Sequence, residues 1–214
     1  MKDNGLLVQY FNANTPADQT LWAKAAKDAV TLKKIGATAV WFPPATKGAA
    51  GKEDMGYAPY DLYDLGEFNQ KGSVGTRYGT KKEYLEAIDA MKAQGINVYA
   101  DIAVRQKLGA DSVEKVTAAD FNAKDIPQMI GNKKIVGALS KFTFAGRRSK
   151  YSKFKWNWNH FAGIDWQQDD FKKRVCELSG MTEEEAEKKY KLSKYDYIIG
   201  SELDLYNQEV YDEL

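Results

Sequence analysis

One acidic side chain, Asp101, lies where a carboxylate could do chemistry. The segment Val98-Tyr-Ala-Asp-Ile-Ala-Val104 predicts a strand, and a polar run, Arg105-Gln-Lys107, follows it. A carboxylate at the carboxyl end of a parallel strand can organise a site, because these strand ends form the functional rim of α/β folds. The same carboxylate could also do no more than cap the loop that follows. The position alone leaves both interpretations open.

A second stretch, residues 146–161, interleaves basic and aromatic side chains. This pattern is typical of surfaces that neutralise and stack single-stranded nucleic acid. However, 31 Lys and Arg against 30 Asp and Glu give a net charge of +1, and therefore no global field that attracts nucleic acid or an anionic membrane. His160 is the only histidine. A single histidine cannot form a histidine metal cluster, and no histidine-based triad is expected. We expect His160 to be a hydrogen-bonded packing residue.

The residues that must position Asp101 predict alternating strands and helices. Apolar runs at residues 6–11, 37–42 and 96–104 predict three strands, and the second is apolar on both faces, as buried parallel strands are. Such alternation predicts a parallel α/β sheet or a (β/α)8 barrel. Residues 45–79, rich in Gly, Tyr and Asp, predict a long loop.

Two helices are predicted between these strands. The first can be capped by Asp18 or Thr20 and ends at Gly36. The second begins with the capping box of Thr80 and Glu83. The apolar spacing predicts their core-facing side chains, which are Leu21, Ala25, Ala29 and Leu32 in the first helix and Tyr84, Leu85, Ile88 and Met91 in the second.

After Val104 the pattern changes to short aromatic and β-branched runs, with one further helix predicted over residues 186–192. The single Cys176 excludes an internal disulfide. No stretch approaches the ~18 apolar residues that span a bilayer. The first ten residues lack the apolar core of a signal peptide. We therefore expect no membrane partner, and either a cytoplasmic protein or a secreted one whose signal has been removed.

Several motifs stand out in the first half of the chain. The main one is Gly56-Tyr-Ala-Pro-Tyr-Asp-Leu-Tyr-Asp-Leu-Gly-Glu-Phe68, and Gln70-Lys-Gly-Ser-Val74 and Tyr78-Gly-Thr-Lys81 follow it. Two more, Gln9-Tyr-Phe11 and Trp41-Phe-Pro-Pro44, precede it. Together these motifs resemble those of α-amylases of the bacterial liquefying type, glycoside hydrolase family 13.

The resemblance implies an α/β fold, the first three βα units of a partial (β/α)8 TIM barrel with an inserted small β-rich domain B. Residues 1–104 would form the barrel part, residues 105–200 domain B, and residues 201–214 the start of the return to the barrel. The basic and aromatic stretch matches a β-hairpin region of that second domain. We therefore expect no nucleic-acid partner.

The resemblance also implies a sugar site. Tyr57 would stack on the sugar bound where cleavage occurs, since an aromatic face buries the CH groups of a pyranose. The family pattern after the third strand is Asp and then Asn-His, whereas this chain keeps Asp101 and has Arg105 for the Asn and Gln106 for the His. The predicted substrate-binding residues are Tyr57, Asp101 and Gln106, with an α-glucan oligosaccharide as partner.

In the family the same Asn binds calcium. Asp165, Asp196 and Asp204 match further ligands, and Glu202 replaces an Asp. Calcium takes six to eight oxygens, and the guanidinium of Arg105 has donors only. The resemblance thus predicts a degenerate calcium site. Calcium stays possible, but a salt bridge from Arg105 to Asp196, Glu202 or Asp204 is favoured.

The family nucleophile is an Asp in a Gly-Phe-Arg-x-Asp pattern on the fourth strand, and the acid/base Glu lies on the fifth. No such string occurs in these 214 residues. We expect no catalytic residue among them. Three interpretations stay open: part of a larger α-amylase-like protein that needs its C-terminal half, a non-catalytic α-glucan-binding pseudoenzyme, and a half-barrel that self-associates or assembles with a partner.

Overall fold

A computed structural model describes residues 5–121, 129–164, 175–177 and 200–214. The chain divides into two compact units, Met1–Ala103 with Ala145–Ser152, and Val104–Phe144 with Lys153–Leu214. The first change of unit lies beside the boundary expected at residue 104. Ala145–Ser152 returns to the first unit, and residues 201–214 lie in the second.

The first unit is an α/β structure. Its elements in chain order are β1 (Leu7–Gln9), α1 (Leu21–Lys34), β2 (Ala39–Phe42), β3 (Lys47–Gly48), β4 (Pro59–Asp61), α2 (Lys81–Ala93) and β5 (Asn97–Ala100). The strands β1, β2 and β5 form a parallel sheet in the order β1-β2-β5. The predicted α/β class is confirmed. The expected loop at residues 45–79 is wrong in part, because it contains the antiparallel pair β3 and β4.

Both predicted helices form. In α1 the buried face is Trp22, Ala25, Ala29 and Leu32. The capping box of α2 is confirmed, since Thr80 Oγ1 accepts from the Glu83 N–H and the Glu83 carboxylate accepts from the Thr80 N–H. Leu85 was expected in the core but is 46% exposed. It lies about 100° around the helix from Tyr84, and Ala87 takes the core position instead.

An aromatic cluster forms the core of the first unit. The Trp22 ring lies 5.2 Å from Phe42, 5.5 Å from Tyr78 and 4.8 Å from Tyr84, centroid to centroid. Four aromatic side chains are therefore used for packing. Among the described residues, the outer strands β1 and β5 each pair only with β2, and Leu7 on β1 and Tyr99 on β5 are 54% and 59% exposed.

The second unit is built on an antiparallel sheet. Its elements are β6 (Gln106–Lys107), β7 (Ser112–Phe121), β8 (Met129–Lys141), β9 (Phe161–Ile164), β10 (Val175–Glu177), β11 (Ser201–Leu203) and the short helix α3 (Gln208–Glu213). The strand order is β6-β11-β9-β10-β7-β8. The region predicted to be β-rich thus supplies strands to one sheet. The helix predicted over residues 186–192 lies outside the described residues. In the described part of the chain, no helix is long and apolar enough to cross a membrane.

Candidate functional site

The carboxyl edge of the parallel sheet positions Asp101. The residue follows β5 directly, and its N–H donates to the carbonyl oxygen of Phe42, the last residue of β2, at 3.0 Å. The sheet pairing therefore extends one residue beyond the strand. It fixes the backbone from which the Asp101 carboxylate projects.

The connection between β3 and β4 carries Tyr57. Gly56 has φ +93°, and a Cβ there would lie 2.7 Å from the Pro44 carbonyl oxygen, so only glycine fits. Asp54 Oδ1 accepts from the Gly56 N–H at 2.7 Å. Tyr57 is thus held by a tight turn. This explains why the sequence places glycine immediately before it.

The structure brings Tyr57 and Asp101 together. The Tyr57 hydroxyl donates to Asp101 Oδ2 at 2.6 Å, although 44 positions separate the two residues. Burial raises the pKa of the Tyr57 phenol, and the hydrogen bond to Asp101 and its charge raise it further. The side chain is still 41% exposed. The pair therefore offers an aromatic face and a charged acceptor, while the phenol remains a neutral donor.

Two further side chains, those of Arg77 and Tyr78, also hold this loop in place. The buried Tyr78 hydroxyl donates to the Met55 carbonyl oxygen at 3.0 Å. Arg77 donates to the Glu53 carbonyl oxygen at 3.0 Å and, through Nε and Nη2, to that of Thr15 at 2.9 and 2.6 Å. The loop that presents Tyr57 is thus held by side-chain hydrogen bonds to the backbone of Glu53 and Met55, which both precede Tyr57.

Our sequence analysis missed a buried network of charges around β4 and the residues that follow it. Arg147 Nε donates to Asp61 Oδ2 at 2.8 Å, and both side chains are almost fully buried. Gln70 Nε2 donates to Asp61 Oδ2 at 2.9 Å and to Asp64 Oδ2 at 3.0 Å. The Nζ atom of Lys47 lies 3.6 Å from Asp64 Oδ2. The acidic motif Tyr60-Asp-Leu-Tyr-Asp64 was the available signal, because two carboxylates among so many apolar residues require buried partners.

The basic and aromatic stretch is divided between the two units, and Arg147, Tyr151 and His160 make internal contacts. Arg147 is buried in the network just described, and the Tyr151 hydroxyl donates to Glu67 Oε2 at 2.7 Å. In the second unit His160 is 3% exposed. Its Nδ1 accepts from the Asn157 N–H at 3.0 Å, and its Nε2 lies 3.1 Å from Glu209 Oε2. The expectation that His160 is a hydrogen-bonded packing residue is confirmed.

The predicted calcium ligands are only partly described. Asp165 and Asp196 lie outside the described residues. Arg105 Nε donates to Glu202 Oε1 at 2.8 Å, so this predicted ion pair is present. In the described part of the chain, no three His, Cys, Asp or Glu side chains are grouped to hold a metal ion. Glu202, held by a cation, and the buried Asp204 do not by themselves fit a site of six to eight oxygens.

Gln106, the third predicted sugar-binding residue, lies in the second unit. It belongs to β6 and is paired with Glu202 of β11. Its side chain is partly buried. Tyr57 and Asp101 belong to the first unit, so the role of Gln106 stays a prediction.

Known proteins are similar to this chain in sequence and in fold. A scan against protein-family models gives no match. The α-amylase of Geobacillus stearothermophilus is 45% identical over 99% of this chain and 38% of its own length. The glucan 1,4-alpha-maltohexaosidase of Bacillus sp. (strain 707) is 41% identical over 99% of this chain and 41% of its own. Among solved structures, truncated alternansucrase from Leuconostoc mesenteroides superposes with a TM-score of 0.52 at 23% identity, covering 69% of this chain and 14% of that one.

The predicted resemblance to the N-terminal portion of α-amylases of glycoside hydrolase family 13 is thereby confirmed: curated α-amylases match at 37–45% identity over 99% of this chain. The chain spans 38–43% of the length of those relatives. The alternansucrase likeness concerns the fold alone.

Proposed function

We propose that these 214 residues form the N-terminal half of an α-amylase-type protein, and that the pair of Tyr57 and Asp101 binds an α-1,4-glucan. The fold assigned with this function is three βα units of a (β/α)8 barrel with an inserted domain B. The single observation that carries the proposal is the 2.6 Å hydrogen bond between the two side chains beside a sheet's carboxyl edge.

The chemistry of the pair suits a sugar. The exposed Tyr57 ring can cover the CH face of a pyranose, which buries apolar surface while the hydroxyl groups keep their hydrogen bonds. The Asp101 carboxylate has two oxygens, and the one not bonded to Tyr57 Oη can accept from a sugar hydroxyl. The bond from Tyr57 also fixes the ring, so little side-chain freedom is lost when the sugar binds.

Calorimetric titration with maltoheptaose tests this proposal. Tyr57→Ala should weaken binding by about 1 kcal/mol, the usual size of one aromatic contact. Tyr57→Phe, which keeps the ring but loses the bond to Asp101, should lose less. Tyr211→Ala, which removes a tyrosine that is 71% exposed on α3, is the matched control and should bind normally. Equal affinities for the wild type and Tyr57→Ala would refute the site.

The polypeptide of 214 residues should not hydrolyse the glucan. A retaining glycosidase needs a nucleophile and an acid/base about 5–5.5 Å apart, and the family nucleophile motif does not occur in this sequence. Reducing-end assays on starch should therefore show no turnover. Turnover that survives repurification and is lost in Tyr57→Ala would contradict this.

A second candidate is a non-catalytic α-glucan-binding protein. The ion pair between Arg105 and Glu202 favours it, because a guanidinium stands where the family has a metal ligand. A third candidate, a self-associating half-barrel, is favoured by the open outer strands β1 and β5. Sugar binding by a monomer separates the second from the third.

A further inference from the structure

The connection between β2 and α2 encloses the ammonium group of Lys47. This side chain is 0% exposed. Four backbone carbonyl oxygens surround its Nζ atom and form what we call the carbonyl cage. They are those of Val74 at 2.6 Å, Ser73 at 2.7 Å, Phe68 at 3.3 Å and Gly75 at 3.4 Å.

The carbonyl cage has the composition of a monovalent cation site. An ammonium has three donors, so the four carbonyl oxygens offer more acceptors than the group has hydrogens. Asp64 Oδ2, 3.6 Å away and also buried, supplies the negative charge. A buried charge is costly unless it is paired and hydrogen-bonded. The cage meets both conditions, so Lys47 serves as its resident cation.

Backbone pairing connects the carbonyl cage to Tyr57. Lys47 begins β3 and is paired with Asp61 of β4. Its N–H donates to the Asp64 carbonyl oxygen at 2.7 Å. Two residues further on, the Ala49 N–H donates to the Ala58 carbonyl oxygen at 2.8 Å. The strands β3 and β4, which precede and follow Tyr57, thus begin their pairing at Lys47.

We propose that Lys47 is the positioning residue for the sugar-binding face of Tyr57, and that the carbonyl cage accepts an alkylammonium cation when the Lys47 side chain is removed. The positioning role rests on the proposed function. The cation site does not. Without the ammonium, residues 68–75 lose their common donor and the β3–β4 pair loses the support beneath it. Tyr57 would then no longer hold the geometry in which its hydroxyl bonds to Asp101.

The test is Lys47→Ala with added n-propylammonium, which replaces the three carbons and the nitrogen that the substitution removes. The melting temperature of Lys47→Ala should fall by on the order of 10 °C. Its maltoheptaose affinity should fall roughly two- to tenfold, as expected when one aromatic contact is lost. Propylammonium should restore both, and 1-propanol, its neutral counterpart, should restore neither.

Lys52→Ala is the matched control, because Lys52 lies in the same connection but its side chain is 50% exposed. It should leave both values unchanged. Lys47→Ala that folds and binds maltoheptaose like the wild type would overturn the positioning role. Failure of propylammonium to raise the melting temperature would overturn the cation site. A wild type without affinity would overturn the proposed function and the positioning role together, whatever the amine does.

A measurement on the unmodified chain covers the case in which Lys47→Ala does not fold. Nitrogen-15 NMR of lysine ammonium groups should show a slowly exchanging resonance for Lys47, because its protons are held by carbonyl oxygens away from water. The Lys52 ammonium should exchange fast. Fast exchange at Lys47 would overturn the carbonyl cage.

Discussion

Replacing Arg147 by methionine should strongly destabilise the first unit, because this side chain is half of a buried ion pair. Its Nε donates to Asp61 Oδ2 at 2.8 Å, with side-chain exposures of 0% and 1%. Its Nη1 donates to the carbonyl oxygens of Lys150 and Ser152, both at 2.7 Å. The guanidinium thus joins Ala145–Ser152 to the β4 carboxylate.

The magnitude follows from the charge that is left behind. Removal of one partner of a buried ion pair costs about 3–5 kcal/mol, since the other charge loses its compensation. Gln70 would still donate to Asp61 Oδ2, so we expect the lower end, about 3 kcal/mol of unfolding free energy. This is a large share of the ~5–15 kcal/mol that stabilises a typical protein.

Urea unfolding followed by tryptophan fluorescence measures the loss. Arg148→Met is the matched control, because the neighbouring arginine is exposed, and it should change the unfolding free energy by no more than about 0.5 kcal/mol. Adding Asp61→Asn to Arg147→Met should cost less than the sum of the single changes, since it removes the uncompensated charge. A loss below about 1 kcal/mol for Arg147→Met, the size of an ordinary hydrogen bond, would refute the reasoning.

Three other outcomes are expected. Melting curves with calcium and with chelator should nearly coincide, because Arg105 supplies no ligand atom, whereas Arg105→Asn should gain a calcium-dependent rise; a large chelator effect on the wild type would contradict this. Sedimentation over a concentration series should show self-association through the open edges that expose Leu7 and Tyr99, and a concentration-independent monomer would argue against it. Hydrogen bonds to Glu67, chiefly from Lys150, lower the pKa of that carboxyl to about 2. Because the folded pKa is depressed, this stabilisation is complete above about pH 4.5 and is lost as the pH falls towards 2. In Glu67→Gln the unfolding free energy should depend less on pH in that window. An unchanged loss of stability in acid would disprove the contribution of Glu67.

Local signals in the sequence predicted much of the first unit. The helix over Leu21–Lys34 follows from apolar spacing, and Thr80 with Glu83 determines where the second helix begins. Both signals act within one or two turns of chain. The short pair of strands β3 and β4 was missed, because two- and three-residue strands carry too little periodicity to be seen.

Contacts between distant residues were predictable only where the resemblance supplied them. Arg105 and Glu202 are 97 positions apart, and their pairing was expected because both fall at one family metal site. Arg147 and Asp61 are 86 positions apart, and no local pattern connects them. Lys47 likewise lies within residues 45–79, which were predicted to be a loop. Its burial depends on carbonyl oxygens, which a sequence does not display.

The most direct test of α-glucan binding at Tyr57 and Asp101 is a nitrogen-15 NMR titration with maltoheptaose, with cellohexaose as the β-linked control. We predict saturable shifts centred on the amides of Gly56, Tyr57, Ala58 and Asp101 with the α-glucan, weaker shifts with the control, and loss of the response in Tyr57→Ala. No shifts at these amides, or shifts confined to the second unit around the exposed Trp158, would contradict the account.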